Sequence, residues 1–455
     1  MKGTRPRKRR QQGTSHASLR EAWRATLARR GAARAVVQAA EARVFSFLDL
    51  DAAADAWVAT QVPDPAQLAG RAVVFAEPNG PRWFEMFLGL VKVGAVPVPL
   101  DPGEPAAVQQ RVAEALRAGA WWTGTTLERK TGARVYRDAC VIKLTSGSTG
   151  QPRPLVFTAG QMLADARQVT ATMGVRASDL NHALIPLGHS YGLGSLSIPL
   201  LAQGVPLVVG TSALPQAIAA DFARWRPTVF PGVPAMWRGL AVSEMRLDSL
   251  RVGISAGAPL PPEVAQAFAA RFGRRLHGFY GSSETGGITY DRTGRATLAG
   301  GVGTALRGVH LAVRRGGRLL VASAAVVTHG NRRRRGALGS WLMAERVKQD
   351  ERAGIFLAGR LDSIVKIAGR RINLLEVTAQ LRRLPGVRDA WVTAVGAGPS
   401  LAAVVAGEGS PMELRAGLLP VMASWMIPKK LVVIPALPLT ARGKTDTRAL
   451  RAMVE

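Results

Sequence analysis

The chain has 455 residues, of which 47% are hydrophobic, and it carries a formal net charge of +29 at pH 7. This length exceeds one ordinary domain, and the apolar content supplies a sizeable core, which excludes a globally disordered chain. The single cysteine, Cys140, excludes an internal disulfide framework. No run reaches the ~18–20 apolar residues that a membrane span needs, so we expect a cytoplasmic protein without a transmembrane segment.

The positive charge is spread along the chain, with arginine clusters at 5–10 and 332–335. Such an excess raises the hypothesis of nucleic-acid binding. Aromatic residues are not interleaved with the basic ones, however, so we expect no specific nucleic acid. We interpret most of the excess as solvated charge, with acidic or phosphate-bearing partners as the alternative. Residues 1–44 are interpreted as a basic, partly disordered N-terminal extension.

Short apolar, β-branched runs alternate with helical patterns from about residue 45 onward. This alternation predicts a large α/β domain with layered, largely parallel sheets. Apolar stripes and prolines in the first turn predict helices at 81–93 and 261–272, the second ending at Gly273. The predicted strands are 72–75, 96–100, 141–144, 182–186, 205–209, 229–231 and 252–255.

The pattern changes after residue 289, where two short strands at 309–313 and 318–321 predict a small β-rich subdomain. A second change falls at 359–362. Beyond it the chain predicts a small α+β unit that continues to the C-terminus. Its predicted helix and strands are 374–384, 390–395 and 402–405.

A segment rich in glycine and hydroxyl groups follows the predicted strand at 141–144. Glycines let the backbone turn tightly and bring N–H groups close to an oxyanion. Hydroxyl groups add further hydrogen-bond donors for phosphate oxygens. This is not the Walker pattern, because no Gly-Lys-Ser/Thr follows. The segment therefore predicts a phosphate-binding loop, formed by Thr145, Ser146, Gly147, Ser148, Thr149 and Gly150.

The string TSGSTG-x-P resembles the phosphate loop of the adenylate-forming superfamily, which includes acyl-CoA synthetases, aryl-CoA ligases, luciferases and peptide-synthetase adenylation domains. The family usually continues Pro-Lys-Gly, whereas this chain has Pro152-Arg153-Pro154. The resemblance extends over about residues 45–455. It implies an N-terminal adenylation domain at 45–359 and a small mobile C-terminal domain at 360–455, with a hinge near Asp362.

Three further segments resemble family motifs that surround the acid and the nucleotide. His189 leads a segment that lies beside the acyl pocket in the family. The string SAGAP at 255–259 resembles the loop that lies against adenine, and YGSSET at 280–285 resembles the second signature. The resemblance assigns the nucleotide to Gly257, Ala258, Pro259, Tyr280, Gly281 and Ser282.

The second signature also supplies the expected polar chemistry. The resemblance implies that Tyr280 stacks on the adenine face, where an aromatic ring offers a large contact area. It implies that Glu284 binds Mg²⁺, a hard cation that prefers carboxylate oxygen. Thr285 is then expected to donate a hydrogen bond to the α-phosphate.

The C-terminal part resembles the family at the hinge and at its catalytic lysine. Arg360 is implied to approach the nucleotide, and Lys366 begins a turn that lines the approach of the thiol. Rotation about Asp362 lets one site run two steps. Lys444 falls at the lysine of the motif Pro-x-Thr-x-x-Gly-Lys-x-Asp, which implies that it bridges the attacking carboxylate and the α-phosphate.

The family's Thr-Gly-Asp, whose aspartate holds the ribose hydroxyls, is missing before the hinge. Alignment from Trp341 places Arg346 nearest to that aspartate. Glu345 substitutes for it if the register shifts slightly, and Asp350 lies a little beyond. We therefore include Glu345 among the nucleotide-binding residues and leave Arg346 and Asp350 open.

The resemblance implies an acid–thiol ligase that uses ATP and Mg²⁺. A carboxylate attacks ATP to give acyl-AMP, and a thiol then displaces AMP. The thiol belongs to coenzyme A or to the phosphopantetheine of a carrier protein, and the acid is fatty, as in fatty acid metabolism, or aromatic. An amino acid is disfavoured, because the pocket segments 189–194 and 281–289 offer no obvious aspartate. The alternatives are a β-lactone-forming synthetase and a noncatalytic nucleotide-binding member of the family.

Overall fold

A computed structural model describes residues 18–145, 153–328, 338–350, 354–360, 364–367, 370–396, 400–422, 424–440 and 445–455. Helices and strands alternate through the first two thirds of the chain, and strands dominate afterwards. The helices are α1 Leu19–Arg30, α2 Phe47–Gln61, α3 Pro81–Lys92, α4 Ala106–Ala115, α5 Ala159–Met173, α6 Ser190–Gly192, α7 Ile198–Gln203, α8 Pro215–Trp225, α9 Pro234–Ala241, α10 Pro262–Phe272, α11 Leu374–Leu381, α12 Pro411–Leu418 and α13 Thr447–Val454.

The strands of the first half are β1 Arg34–Gln38, β2 Arg43–Ser46, β3 Ala72–Phe75, β4 Val96–Pro99, β5 Ala120–Trp122, β6 Leu127–Arg129, β7 Val141–Thr145, β8 Arg153–Phe157, β9 Asn181–Ala183, β10 Leu207–Val209, β11 Val229–Gly232 and β12 Val252–Ser255. Those of the second half are β13 Leu276–Ser282, β14 Gly286–Tyr290, β15 Thr304–Ala305, β16 Val309–Arg314, β17 Arg318–Ser323, β18 Gly339–Asp350, β19 Gly354–Arg360, β20 Ile364–Ile367, β21 Arg370–Asn373, β22 Val387–Val395, β23 Ser400–Gly407 and β24 Lys430–Ile434.

A nine-stranded sheet forms the centre of the large domain, in the order β15-β14-β13-β12-β11-β9-β10-β1-β2. Its strands from β13 to β1 pair in parallel, and antiparallel strands lie at both edges. Inner strands such as β12 are buried along their whole length, as expected where both faces of a parallel sheet are covered. Strand β3 lies in a second, four-stranded sheet of order β4-β3-β5-β6.

The rest of the chain is richer in strands. Strands β16 to β19 form one antiparallel sheet. Strands β22 to β24 form a mixed sheet, in which β23 and β24 run in parallel, and this sheet packs on α11 and α13. This arrangement confirms the predicted fold class, a large α/β domain with layered sheets and a smaller β-rich C-terminal region. Within the described ranges, no helix combines the length and the apolarity that crossing a bilayer requires.

The folded part begins earlier than the sequence predicted. Residues 18–44 were assigned to an extension outside the large domain, but β1 pairs with β10 inside the nine-stranded sheet. Helix α1 is capped by Ser18 and buries Leu19 and Trp23 in the main core. The arginines of α1 lie on its exposed face. Because they make this segment strongly basic, the amphipathic pattern of the helix was not recognised in the sequence.

The predicted strand at 182–186 also differs from β9, which ends at Ala183. The side chain of Asn79 donates to the carbonyl of Ile185 and accepts the N–H of Leu187, both at 2.9 Å. These hydrogen bonds replace those that a longer β9 would make with a neighbouring strand, and the chain turns towards His189.

Candidate active site

Two predicted nucleotide segments lie at the same edge of the nine-stranded sheet. Strands β12 and β13 run in parallel, with Ser255 next to Gly278. The adenine-loop segment follows β12, and the second signature starts near the end of β13. Because the carboxyl ends of parallel strands meet at one edge, the two segments are neighbours. Gly257, Ala258 and Pro259 are exposed there, and Gly257 has φ +87°, which favours glycine.

The second signature forms a compact turn between β13 and β14, which we call the signature turn, residues 282–287. Thr285 is fully buried, and its hydroxyl donates to the carbonyl of Gly286 at 3.1 Å. Its backbone N–H donates to the hydroxyl of Ser282 at 3.3 Å. In this conformation Thr285 therefore fastens the turn, and its predicted contact with the α-phosphate stays a prediction. Tyr280 and Glu284 are half-buried beside the turn.

Helix α5 holds this turn from both sides. Gln161 and Asp165 lie four residues apart and so share one face of the helix. Asp165 accepts the N–H of Gly287 at 2.9 Å through Oδ1. Gln161 donates to the carbonyl of Val326 at 2.7 Å, and the next residue, Val327, donates its N–H to the carbonyl of Glu284 at 2.8 Å. The metal-binding carboxylate predicted at Glu284 is thus positioned through α5.

Asp165 faces a buried lysine on the strand before the phosphate loop. Lys143 and Asp165 are both 3% exposed, and the Lys143 Nζ lies 4.3 Å from the ring centroid of Phe157. Burial lowers the pKa of Lys143 and raises the pKa of Asp165, and the attraction between the two charges opposes both shifts. The Lys143 charge also acts on Glu284, which places these charges in one local network.

The segment led by His189 joins this edge of the sheet. The hydroxyl of Ser190 donates to the hydroxyl of Ser283 at 3.0 Å, which ties the segment to the signature turn. The His189 Nε2 lies 3.5 Å from Oδ2 of Asp101, whose carboxylate is 5% exposed. A π-helical turn at Leu193–Ser197 continues the segment, a feature that is frequent at functional sites.

The phosphate-loop prediction falls largely outside the described residues. Ser146, Gly147, Ser148, Thr149 and Gly150 are not among them, so their role stays a prediction. The flanking strands β7 and β8 pair antiparallel, with Thr145 opposite Arg153. The Thr145 hydroxyl donates to the carbonyl of Arg153 at 3.4 Å. Among the described strands β8 pairs only with β7, so Pro154 lies on an edge strand, where a residue without an N–H is tolerated.

The strand pairing of β18 distinguishes the three residues that are candidates for binding the ribose. Glu345 lies opposite Arg360, whereas Arg346 pairs with Arg318 on the other neighbouring strand. Asp350 lies opposite Gly354, five residues further along β18 and hence roughly 17 Å from Glu345. Among these three, Glu345 is the one next to the predicted nucleotide arginine.

The remaining C-terminal predictions are only partly described. Asp362 and Lys444 lie outside the described residues, and Lys366 is described through its backbone on β20, opposite Arg371. Leu439 and Thr445, on either side of the segment that contains Lys444, form an isolated antiparallel β-bridge. Its far end is fixed because Asp446 caps α13.

Sequence reasoning missed three residues of this site, namely Asp101, Gln161 and Asp165. Gln161 was visible as the third position of a capping box begun by Thr158, but its contact with Val326 depends on the fold. Asp165 stands in an otherwise apolar and small run on α5, where an ionisable residue is unusual for a buried helix face.

The chain is similar to known proteins in sequence and in fold. Residues 115–322 match the family model described as AMP-binding enzyme. The chain is 27% identical over 345 residues to feruloyl-CoA synthase of Amycolatopsis sp., covering 68% of each chain. It is 25% identical to anthranilate–CoA ligase of Pseudomonas aeruginosa, covering 85% of this chain and 87% of that one.

The fold agrees with ATP-bound MatB from Rhodopseudomonas palustris at a TM-score of 0.80 and 20% identity, covering 96% of this chain and 99% of that one. The family match and the relatives support the AMP-binding superfamily and, within it, an AMP-forming acid–thiol ligase.

Proposed function

We propose that the protein joins an aromatic carboxylic acid to AMP from ATP and then transfers the acyl group to the thiol of coenzyme A. The observation that carries this proposal is the meeting of the adenine loop, the signature turn and the His189 segment at one sheet edge. Two relatives whose names specify feruloyl and anthranilate substrates support an aromatic acid. So does the Tyr191 ring, which lies 5.7 Å from that of Phe279.

The nucleotide is proposed to lie across this edge. Tyr280, which is half-buried, is proposed to stack on adenine beside the exposed loop at Gly257. Glu345 is proposed to accept hydrogen bonds from the ribose hydroxyls, because it lies opposite Arg360. The guanidinium of Arg360 then approaches the phosphates, where a planar fork of donors suits phosphate oxygens.

Mg²⁺ fits the residues at the signature turn. Glu284 offers a half-buried carboxylate, and the described part of the chain holds no cluster of three or more metal-ligating side chains. This suits Mg²⁺, which usually keeps several waters and binds through one or two carboxylates and the substrate phosphates. When bound, the ion neutralises charge on the phosphates.

The two steps are proposed to use two different lysines of the C-terminal part of the chain. Lys444 is proposed to bridge the acid carboxylate and the α-phosphate, offsetting their repulsion by about 3–4 kcal/mol, by analogy with oxyanion donors. After pyrophosphate leaves, rotation near Asp362 is proposed to bring Lys366 to the site and admit the thiol. Coenzyme A is preferred as the acceptor because both named relatives are coenzyme A enzymes.

Acid-dependent ATP–pyrophosphate exchange tests the first step. We expect exchange with at least one member of a panel of aromatic and fatty acids, and loss of about 100-fold or more in Lys444→Ala. Lys430→Ala is the matched control, because Lys430 is an exposed lysine of the same region. Thioester formation with coenzyme A, compared with a pantetheinylated carrier protein, then tests the acceptor.

Each other outcome contradicts a stated part of the proposal. Exchange only with fatty acids overturns the aromatic substrate. ATP binding by calorimetry without exchange for any acid overturns the enzymatic proposal and favours the noncatalytic alternative. A β-lactone product in place of a thioester overturns the transfer step.

A further inference from the structure

A buried carboxylate lies between the two segments that are expected to wall the acyl pocket, 189–194 and 281–289. Asp165 reaches both from α5 and is 3% exposed. A Cβ at Gly194 would lie 2.7 Å from the Asp165 Oδ2, and a Cβ at Gly286 would collide with the same carboxylate. Each wall therefore approaches the Asp165 carboxylate closely, because each has a glycine at the point of contact.

This carboxylate keeps unused hydrogen-bonding capacity. Its Oδ1 accepts the N–H of Gly287, whereas no other described residue donates a hydrogen bond to it. An ionised carboxylate offers about four acceptor sites. Buried polar groups normally have hydrogen-bond partners, so the second oxygen of this carboxylate has capacity for a donor from water or from a ligand. The oxygen on the Gly194 side is the one left to meet that ligand.

Lys143 determines which kind of donor suits this oxygen. Its buried ammonium already balances the charge of Asp165, and it lies over the Phe157 ring. A second cation here would leave an excess buried positive charge, which is poorly tolerated. A neutral donor, such as an aromatic amine or a phenolic hydroxyl, adds a hydrogen bond without adding charge.

We infer that Asp165 is a specificity-determining residue that accepts a hydrogen bond from an amino or hydroxyl substituent on the aromatic acid. The inference rests on the proposed function, since it uses the same pocket walls. Asp165 lies on α5, outside the two pocket segments in which the sequence offered no obvious aspartate. Tyr191 lies in one of these walls, and its ring lies 5.7 Å from that of Phe279.

The test compares kcat/KM for different acids with the same enzyme. A general loss of activity then leaves the ratio between the acids unchanged. The panel contains benzoate, the ring isomers of aminobenzoate and hydroxybenzoate, and (aminomethyl)benzoate as a cationic probe. In the wild type we expect kcat/KM for exchange to favour at least one amino or hydroxy acid over benzoate by about tenfold or more. We expect (aminomethyl)benzoate to be no better than benzoate.

Two variants complete the test. In Asp165→Asn the one oxygen is used by the Gly287 N–H and an amide donor replaces the oxygen assigned to the ligand, so we expect most of the preference to be lost. Lys143→Met/Asp165→Leu removes both charges without leaving either one unpaired, and we expect its preference to fall to about onefold. A purely structural role for Asp165 would lower kcat/KM for all acids by one common factor and leave the ratio unchanged.

The outcomes separate the two proposals. Exchange without any preference in the wild type, or an unchanged ratio in the folded double variant, overturns the role of Asp165 and leaves the proposed function intact. A strong preference for (aminomethyl)benzoate overturns the neutral-donor argument. If no acid supports exchange in the wild type, the proposed function fails first, and this inference fails with it.

Discussion

Glu345 and Arg360 lie opposite each other across β18 and β19. This pairing puts a carboxylate next to the arginine expected at the nucleotide, in a chain that lacks the family's Thr-Gly-Asp. The neighbouring Arg346 pairs instead with Arg318 on β17. Sequence alignment therefore places Arg346 at the family aspartate, whereas the strand pairing favours Glu345.

Glu345→Gln should raise the KM for ATP by about 10-fold to 100-fold, because charged hydrogen bonds to the ribose contribute about 1.5–3 kcal/mol. The maximal exchange rate should change less, since the reacting groups are untouched. Asp350→Asn is the matched control, because it lies opposite Gly354 at the far end of the strand. A larger effect on KM from Asp350→Asn would assign the ribose to that residue instead.

Lys143→Met should lower the free energy of unfolding by about 3–5 kcal/mol, because it leaves Asp165 buried without its counter-charge. The double variant Lys143→Met/Asp165→Leu should recover most of this loss, because no buried charge remains. Chemical denaturation at pH 7 measures both. Equal destabilisation by the single and double variants would show that the two charges do not compensate each other.

Asp179 should make the protein acid-sensitive. Burial raises the pKa of this carboxyl, but hydrogen bonds from Arg251, Arg176 and Thr228 outweigh burial, so the pKa lies below its ordinary value of 3.8. A carboxyl with a lowered pKa in the folded state stabilises the fold above the unfolded pKa. That contribution is lost as the pH falls through the folded pKa.

Asp179→Asn should accordingly cost about 1.5–3 kcal/mol in free energy of unfolding at pH 7, by loss of its charged hydrogen bonds. The difference from the wild type should shrink below about pH 4, where the wild-type carboxyl also becomes neutral. Urea denaturation across this range measures the difference. Asp248→Asn is the control, because its salt bridge with Arg246 is exposed and should change little. A difference that is constant with pH would contradict the assignment.

Asp101→Ala should impair use of the acid more than use of ATP, because Asp101 lies 3.5 Å from His189 at the acyl side of the site. We expect kcat/KM for the acid to fall about tenfold, equal to ~1.4 kcal/mol. The KM for ATP should change less than twofold. Asp101→Asn keeps an oxygen acceptor and should restore most of the loss. Equal effects on both substrates would indicate a general structural role.

The sequence could predict elements whose signal is local. The strand at 252–255 has the predicted bounds because four consecutive apolar or small residues fit a strand buried on both faces. The helices at 81–93 and 261–272 end within one residue of their predictions, because prolines and glycine mark their ends. The match to an AMP-binding family confirms the resemblance on which the remaining assignments were based.

What the sequence could not predict depends on contacts between distant segments. Asp165 gains its surroundings from Gly194 and Gly286, which no local pattern connects to α5. The strand at 182–186 was predicted too long because Asn79, far earlier in the chain, takes its hydrogen bonds. Glu345 could be selected only after the strand register was known.

The continuity of β8 with α5 has a mechanical consequence. Strand β8 ends at Phe157 and α5 begins at Ala159, with Thr158 capping the helix. Only this capped junction separates the strand that follows the predicted phosphate loop from Gln161 and Asp165, which hold the signature turn. A displacement of β8 would therefore reach the backbone beside Glu284 through the first two turns of α5.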